Sequence, residues 1–300
     1  MQTKLSIKNY VNENSFQWLI VACCLCIFLG FVTARAVASI GMISLIVAAL
    51  LYNGPAETIR QYLKRKEMLV LFLFFGIVFF SGLYSADKAE WLTWVRIKLP
   101  FIALPLAFAG IIKLSRTKFI AILYGFVAIM LLSSVVVLSN YFLNYAEIND
   151  SFLRGHAIPI PFKHSHISHI RFTLMIAFAF FCCWYMAEKQ FYLLHKNERW
   201  VLFICMVYFF AALHILSVRS SLLALYMGVF VLLVRLIIIK KSIAIGALSL
   251  ILLTAAPYLA VKYIPSFKNK YEYMRYDYFT YKSGEVKNLS DGIRVVSMKG

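Results

Sequence analysis

The chain has 300 residues, of which 62% are hydrophobic and 16% aromatic, with a mean hydropathy of +0.78 and a formal net charge of +18. A soluble domain carries roughly 45–50% apolar residues, so this composition excludes an ordinary water-soluble fold and points to an all-α, polytopic integral membrane protein. The basic residues are dispersed between apolar blocks rather than gathered in one soluble face, which excludes nucleic acid as a partner and leaves membrane lipids as the surroundings.

A hydrocarbon core of about 30 Å needs roughly 20 apolar residues per helix. By that measure nine spans are expected, near 17–34, 36–53, 68–84, 99–114, 119–141, 171–187, 200–217, 219–239 and 242–261. Only Thr33, Ala34 and Arg35 separate the first pair, which predicts a tight helical hairpin. The fourth block is short and contains Pro100 and Pro105, so its ends are poorly defined. A polar stretch precedes the first block and no clean small-residue cleavage site follows it, so a cleavable signal peptide is not expected. The expected organisation is a transmembrane helical domain over 1–261, followed over 262–300 by the start of a large outer loop.

Lys and Arg favour the cytoplasmic ends of spans. With Lys4 and Lys8 inside, the inner connections carry Arg60, Lys64, Arg65 and Lys66, then Lys113, Arg116 and Lys118, then Lys189, Lys196 and Arg199, then Arg235, Lys240 and Lys241. The alternation is never broken. Fifteen of the 31 basic residues thereby fix topology, and the rest fall on the outer side. Either the long outer segments escape the topology rule, or they face an anionic ligand. The outer stretch 85–98, SADKAEWLTWVRIK, has the charges and paired tryptophans of an interfacial helix. All six cysteines fall within expected spans and read as packing residues, not as disulfides or metal ligands.

The stretch 217–225, SVRSSLLAL, places Arg219 among Ser217, Ser220 and Ser221 at the outer start of the eighth span. Unpaired N–H groups, a guanidinium and hydroxyl donors together suit an anion, phosphate above all. A snorkelling arginine behind a serine cap fits the same residues. The outer loop 142–170 holds His156, His164, His166 and His169, with Arg171 just beyond. A histidine there can act as general base toward a hydroxyl, and His169 and Arg171 lie closest to the membrane; a polar interfacial loop is the plainer account. His214 reads as a packing residue. The segment 263–282 interleaves six tyrosines with Lys268, Lys270, Arg275 and Lys282, as an amphipathic surface helix or a sugar-and-phosphate surface would.

SVRSSLLAL resembles the Ser-x-Arg signature of the O-antigen ligase and polymerase family, which includes bacterial O-oligosaccharyltransferases. Two further stretches are similar to regions of that family: NLSDGIRVVSMKG at 288–300, where Arg294 falls on a second arginine, and HSHISHIRFTLMIAF at 164–178. The resemblance implies a multi-pass enzyme of the bacterial inner membrane with its N-terminus cytoplasmic and its active face periplasmic. It would move a glycan from an undecaprenyl-diphosphate carrier to a hydroxyl, on a lipid A-core sugar for a ligase or on a second glycan for a polymerase. Arg219 and Arg294 would bind the donor diphosphate, with Arg171 a third cation, Ser217 and Ser220 added donors and His169 a general-base candidate. No nucleotide, metal or other cofactor is implied. The family carries a longer loop with a further histidine and more spans, so the resemblance also implies that a C-terminal part is missing here. A lipid-linked glycan flippase is the non-enzymatic alternative; it would be expected to line its spans with charge, whereas here the mid-span positions are almost free of it.

Overall fold

The computed structural model describes residues 12–110, 114–153, 168–193, 195–240, 255 and 257–282. Among these residues all regular structure is helical. Eight stretches are long and apolar enough to cross a membrane: Glu13–Val32, Arg35–Asn53, Lys66–Leu83, Lys88–Ala109, Arg116–Leu143, His169–Lys189, Glu198–Leu216 and Arg219–Ile239. Seven of them match expected spans to within a few residues; the fourth begins at Lys88 rather than near 99 and so takes in most of the stretch expected as an outer connection, while the ninth, 242–261, lies mostly outside the described residues. The chain divides into two compact units, 1–126 and 127–300.

In the first unit, α1 (Glu13–Val32) and α2 (Arg35–Asn53) form the expected hairpin. Asn12 caps α1 by accepting from the Asn14 N–H at 3.0 Å. One antiparallel register pairs Phe16 with Tyr52, whose rings stack at 4.0 Å, Ile27 with Gly41, and Gly30 with Ala38. Ile20, Cys23, Cys24, Leu45 and Ala49 fill the seam, so these cysteines serve as small apolar residues.

The chain then enters α3 (Pro55–Lys64), a short helix within the expected inner connection. Gly54 has φ 82°, a turn that favours glycine, and Pro55 at the first helical position supplies a ready-made start. After α4 (Lys66–Phe80) and a 3₁₀ turn, Asp87 caps α5 (Lys88–Lys98), accepting from the Ala89 and Glu90 N–H groups at 2.9 and 3.0 Å. The stretch read as an interfacial helix is therefore helical. It also runs, across the single residue Leu99, into α6 (Pro100–Gly110) to give a span-length stretch. Pro100 defines the start of α6 rather than blurring it.

The second unit contains most of α7 (Arg116–Leu143), then α8 (Tyr145–Leu153), α9 (His169–Lys189), α10 (Glu198–Leu216), α11 (Arg219–Lys240) and α12 (Pro265–Lys282). α9 and α10 pack against each other, and Phe172, Ile176, Cys183 and Met186 of α9 and Leu202, Phe209 and Leu213 of α10 are buried. Leu132, Ile204 and Leu223 are about two-thirds exposed (68%, 65% and 66%), as suits side chains whose solvent is lipid.

α9 ends on Gln190, held at φ 52° and ψ 44°, with the Phe191 N–H closing back on the Met186 carbonyl at 2.9 Å. A non-glycine residue in this region costs about 1 kcal/mol. Gln190→Gly is accordingly expected to raise stability by about 0.5–1 kcal/mol, readable as a higher unfolding midpoint in detergent.

Candidate functional site

The site forms where α10 gives way to α11. Ser217 ends α10 in the left-handed region, φ 54° and ψ 40°, and its N–H closes on the Leu213 carbonyl at 2.9 Å. This single residue reverses the chain, and Arg219 opens α11. Ser217 is buried. Its hydroxyl donates to the His214 carbonyl at 2.6 Å, and the Ser221 hydroxyl donates to the Val218 carbonyl at 2.8 Å. Both hydroxyls serve the turn. Arg219 and Ser220 stand exposed in the first turn of α11.

α12 clamps onto this turn. Ser266 donates to the Ile215 carbonyl at 2.6 Å, and one helical turn later Lys270 donates to the Leu216 carbonyl at 2.8 Å. These are carbonyls that a helix leaves unpaired at its C-terminus, where the partial negative charge of α10 also favours a cation. The Lys270 ammonium lies over the Phe152 ring of α8, 4.3 Å from its centroid. The neighbouring Asn269 donates to the Asn149 carbonyl at 3.1 Å, so α8 is tied in as well.

Burial first, and the Arg219 guanidinium second, push the Lys270 ammonium down from 10.5 to about 7. Among the described residues no carboxylate pairs with it. Between about pH 7 and 10.5 the folded protein has released this proton while the unfolded chain still holds it. Stability therefore rises with pH through that window and is lowest below it. The prediction is an unfolding midpoint that climbs between these limits and stops climbing in Lys270→Met, measured by thermal unfolding.

His169 sits half-buried at the start of α9, within electrostatic reach of Lys270. The structure thus gathers Arg219, Lys270 and His169 at one end of this unit. Arg171 is exposed in the first turn of α9, and no hydrogen bond or ion pair ties it to the described residues. Arg294, His156, His164 and His166 lie outside the described residues. His214 is a buried packing residue. Its Nδ1 donates to the Phe210 carbonyl at 2.7 Å, which leaves Nε2 to accept from the Tyr226 hydroxyl at 2.5 Å. Both ring nitrogens are occupied. Among the described residues no three His, Cys, Asp or Glu side chains are placed to hold a metal.

Sequence reasoning did not single out Lys270, whose ammonium reaches the α10–α11 turn. The Ser266–Lys270 spacing on one helical face was the available signal, but the partner carbonyls it reaches are not marked in the sequence. In the first unit, Val78, Ser81, Ser85, Glu90, Trp91 and Trp94 line a separate groove of about 350 Å³. The Trp91 indole there donates to the Val78 carbonyl at 3.1 Å. No family model, curated protein or solved structure matches this chain.

Proposed function

We propose that this chain is a membrane glycosyltransferase of the O-antigen ligase type, working at the periplasmic face of a bacterial inner membrane. Its donor is a glycan on undecaprenyl diphosphate, and its acceptor is a hydroxyl on lipid A-core. The observation that carries this reading is the place of Lys270, whose ammonium reaches the Leu216 carbonyl at the turn where Arg219 opens α11 and feels the charge of that guanidinium. It joins the SVRSSLLAL resemblance to a place where a phosphate can be held.

In the reaction the acceptor oxygen bonds to the anomeric carbon as the bond from that carbon to the phosphate oxygen breaks. The hydroxyl proton goes to a base, for which His169 is the candidate beside the cations. Negative charge then collects on the departing lipid diphosphate. Fixed cations and N–H donors aimed there lower the barrier because they need no rearrangement as the charge develops.

The test is a blot of surface polysaccharide from cells lacking the gene and from cells complemented with it. Loss of polymer from lipid A-core, with polymer building up on undecaprenyl diphosphate, is the expected result. A single repeat left on the core with the ladder gone would make the enzyme a polymerase of the same type. An unchanged ladder, with undecaprenyl-linked glycans also unchanged, overturns the proposal.

A further inference from the structure

The groove of the first unit lies where α4 turns into α5, between the span-length stretches Lys66–Leu83 and Lys88–Ala109. At about 350 Å³ it is at the small end of the range for ligand sites. α5 carries Lys88, Glu90, Arg96 and Lys98 beside Trp91 and Trp94, a mixture that belongs at the headgroup level and not among lipid tails. Phe80 and Leu83, close to Ser81 in the chain, are exposed apolar side chains.

One wall of the groove is held in place by the fold. The Trp91 indole N–H donates to the Val78 carbonyl at 3.1 Å. Its ring lies so close to Gly82 that a Cβ there would fall 2.3 Å from Trp91 Cε2. Trp94 follows on the same face of α5 and is half exposed, and Glu90 lies one helical turn before it.

The hydrogen-bonding groups decide what this groove can take. The Ser81 hydroxyl donates to the Val78 carbonyl at 2.7 Å, and the Ser85 hydroxyl donates to the Asp87 carbonyl at 2.9 Å. With the Trp91 N–H, three of the donors that line it are taken up within the protein. Ring faces, serine lone pairs and both carboxylate oxygens of Glu90 remain. Among the described residues no cation pairs with Glu90: Lys88 donates to the Gly82 carbonyl, and Lys98 lies over the Phe101 ring, 5.5 Å from its centroid.

A sugar hydroxyl both donates and accepts, so a hexose calls for donors that this groove has largely committed elsewhere. An ammonium only donates. A carboxylate beside two indole faces is the setting that attracts an ammonium. Lys88, on the carbonyl of the glycine that backs Trp91, keeps two N–H groups for an anionic oxygen. We propose that the groove seats the headgroup of an ammonium-bearing, zwitterionic phospholipid, its ammonium on the faces of Trp91 and Trp94 against Glu90 and its phosphate toward Lys88. This goes beyond the transferase function and uses none of the residues assigned to it.

The experiment titrates the full chain, in maltoside micelles, with short-chain phosphatidylethanolamine by calorimetry. Short-chain phosphatidylglycerol and the N-acetylated ethanolamine lipid, which has lost its positive charge, are the comparisons. The ethanolamine lipid is expected to bind roughly tenfold more tightly than either. Glu90→Gln should weaken its binding about tenfold and leave that of phosphatidylglycerol unchanged. Trp94→Ala should weaken it several-fold, and Trp94→Phe, which keeps a ring face, should recover part of the loss. An unfolding scan on each variant ensures that only folded proteins are compared, and Glu90→Gln carries the test if Trp94→Ala fails to fold.

Equal affinity for the three lipids overturns the proposal, as does equal affinity of wild type and Glu90→Gln for the ethanolamine lipid. Displacement of that lipid by free N-acetylglucosamine overturns it too and assigns the groove to a sugar. Glycan transfer plays no part in the readout, so failure here leaves the transferase function standing, and an inactive transferase leaves the lipid seat standing.

Discussion

Under the proposed transferase function, Arg219→Ala is expected to lower glycan transfer by about 10²–10³-fold, the loss typical when a preorganised donor to a developing oxyanion is removed. Membrane insertion and protein level should hold. Arg219 is exposed in the first turn of α11, and Ser217, Ser221 and the backbone close the turn before it. Stability should change by about 1 kcal/mol or less. Arg219→Lys restores charge without the planar fork and should recover only part of the rate. The measurement is transfer from undecaprenyl-diphosphate glycan to lipid A-core in isolated membranes, normalised to the amount of protein on a blot. Wild-type transfer by a normally inserted Arg219→Ala protein would remove Arg219 from the site and weaken the transferase reading with it.

The positions of the spans were legible because lipid imposes a coarse demand that composition meets directly. The first eight expected spans correspond to span-length helices, and most boundaries agree within a few residues. Smaller elements depend on local chemistry that a hydropathy profile averages away. α3 is an example: Gly54 and Pro55 mark its start, but its basic residues drew attention to topology instead. The turn that carries Arg219 was legible as the start of the eighth span. Ser217 was read as a donor beside it, whereas its left-handed backbone turns the hydroxyl onto the carbonyl three residues back. Lys270 was hidden among similar residues in a basic, tyrosine-rich stretch. Its role comes from 54 residues away in sequence, at the Leu216 carbonyl, and no local pattern encodes such a contact.

The largest stability effect is expected at Gly30. In the hairpin register that pairs it with Ala38, a Cβ built on Gly30 would lie 2.1 Å from the Ala38 nitrogen and 2.5 Å from its Cα. Those are backbone atoms at the start of α2 and cannot swing aside as a side-chain tip would. Gly30→Ala must therefore push α1 and α2 apart, although only Thr33 and Ala34 join them. The separation would loosen the seam of Ile27 against Gly41, where the contacts are also tight, and of Phe16 on Tyr52. In lipid, helices associate mainly through close packing, so the lost contact has no hydrophobic effect to replace it. The expected cost is about 3 kcal/mol, even after the ~1 kcal/mol by which alanine favours a helix over glycine. Gly76→Ala is the control. It lies in α4, and the nearest atom to its Cβ would be Phe80 Cε2 at 4.0 Å, so the helical preference should act alone and stabilise by about 0.5–1 kcal/mol. Both variants can be read as melting midpoints by size-exclusion chromatography of heated, detergent-solubilised protein. Opposite shifts would establish close backbone approach as what holds α1 to α2; a Gly30→Ala midpoint equal to the wild type would mean that the hairpin is looser than this register requires.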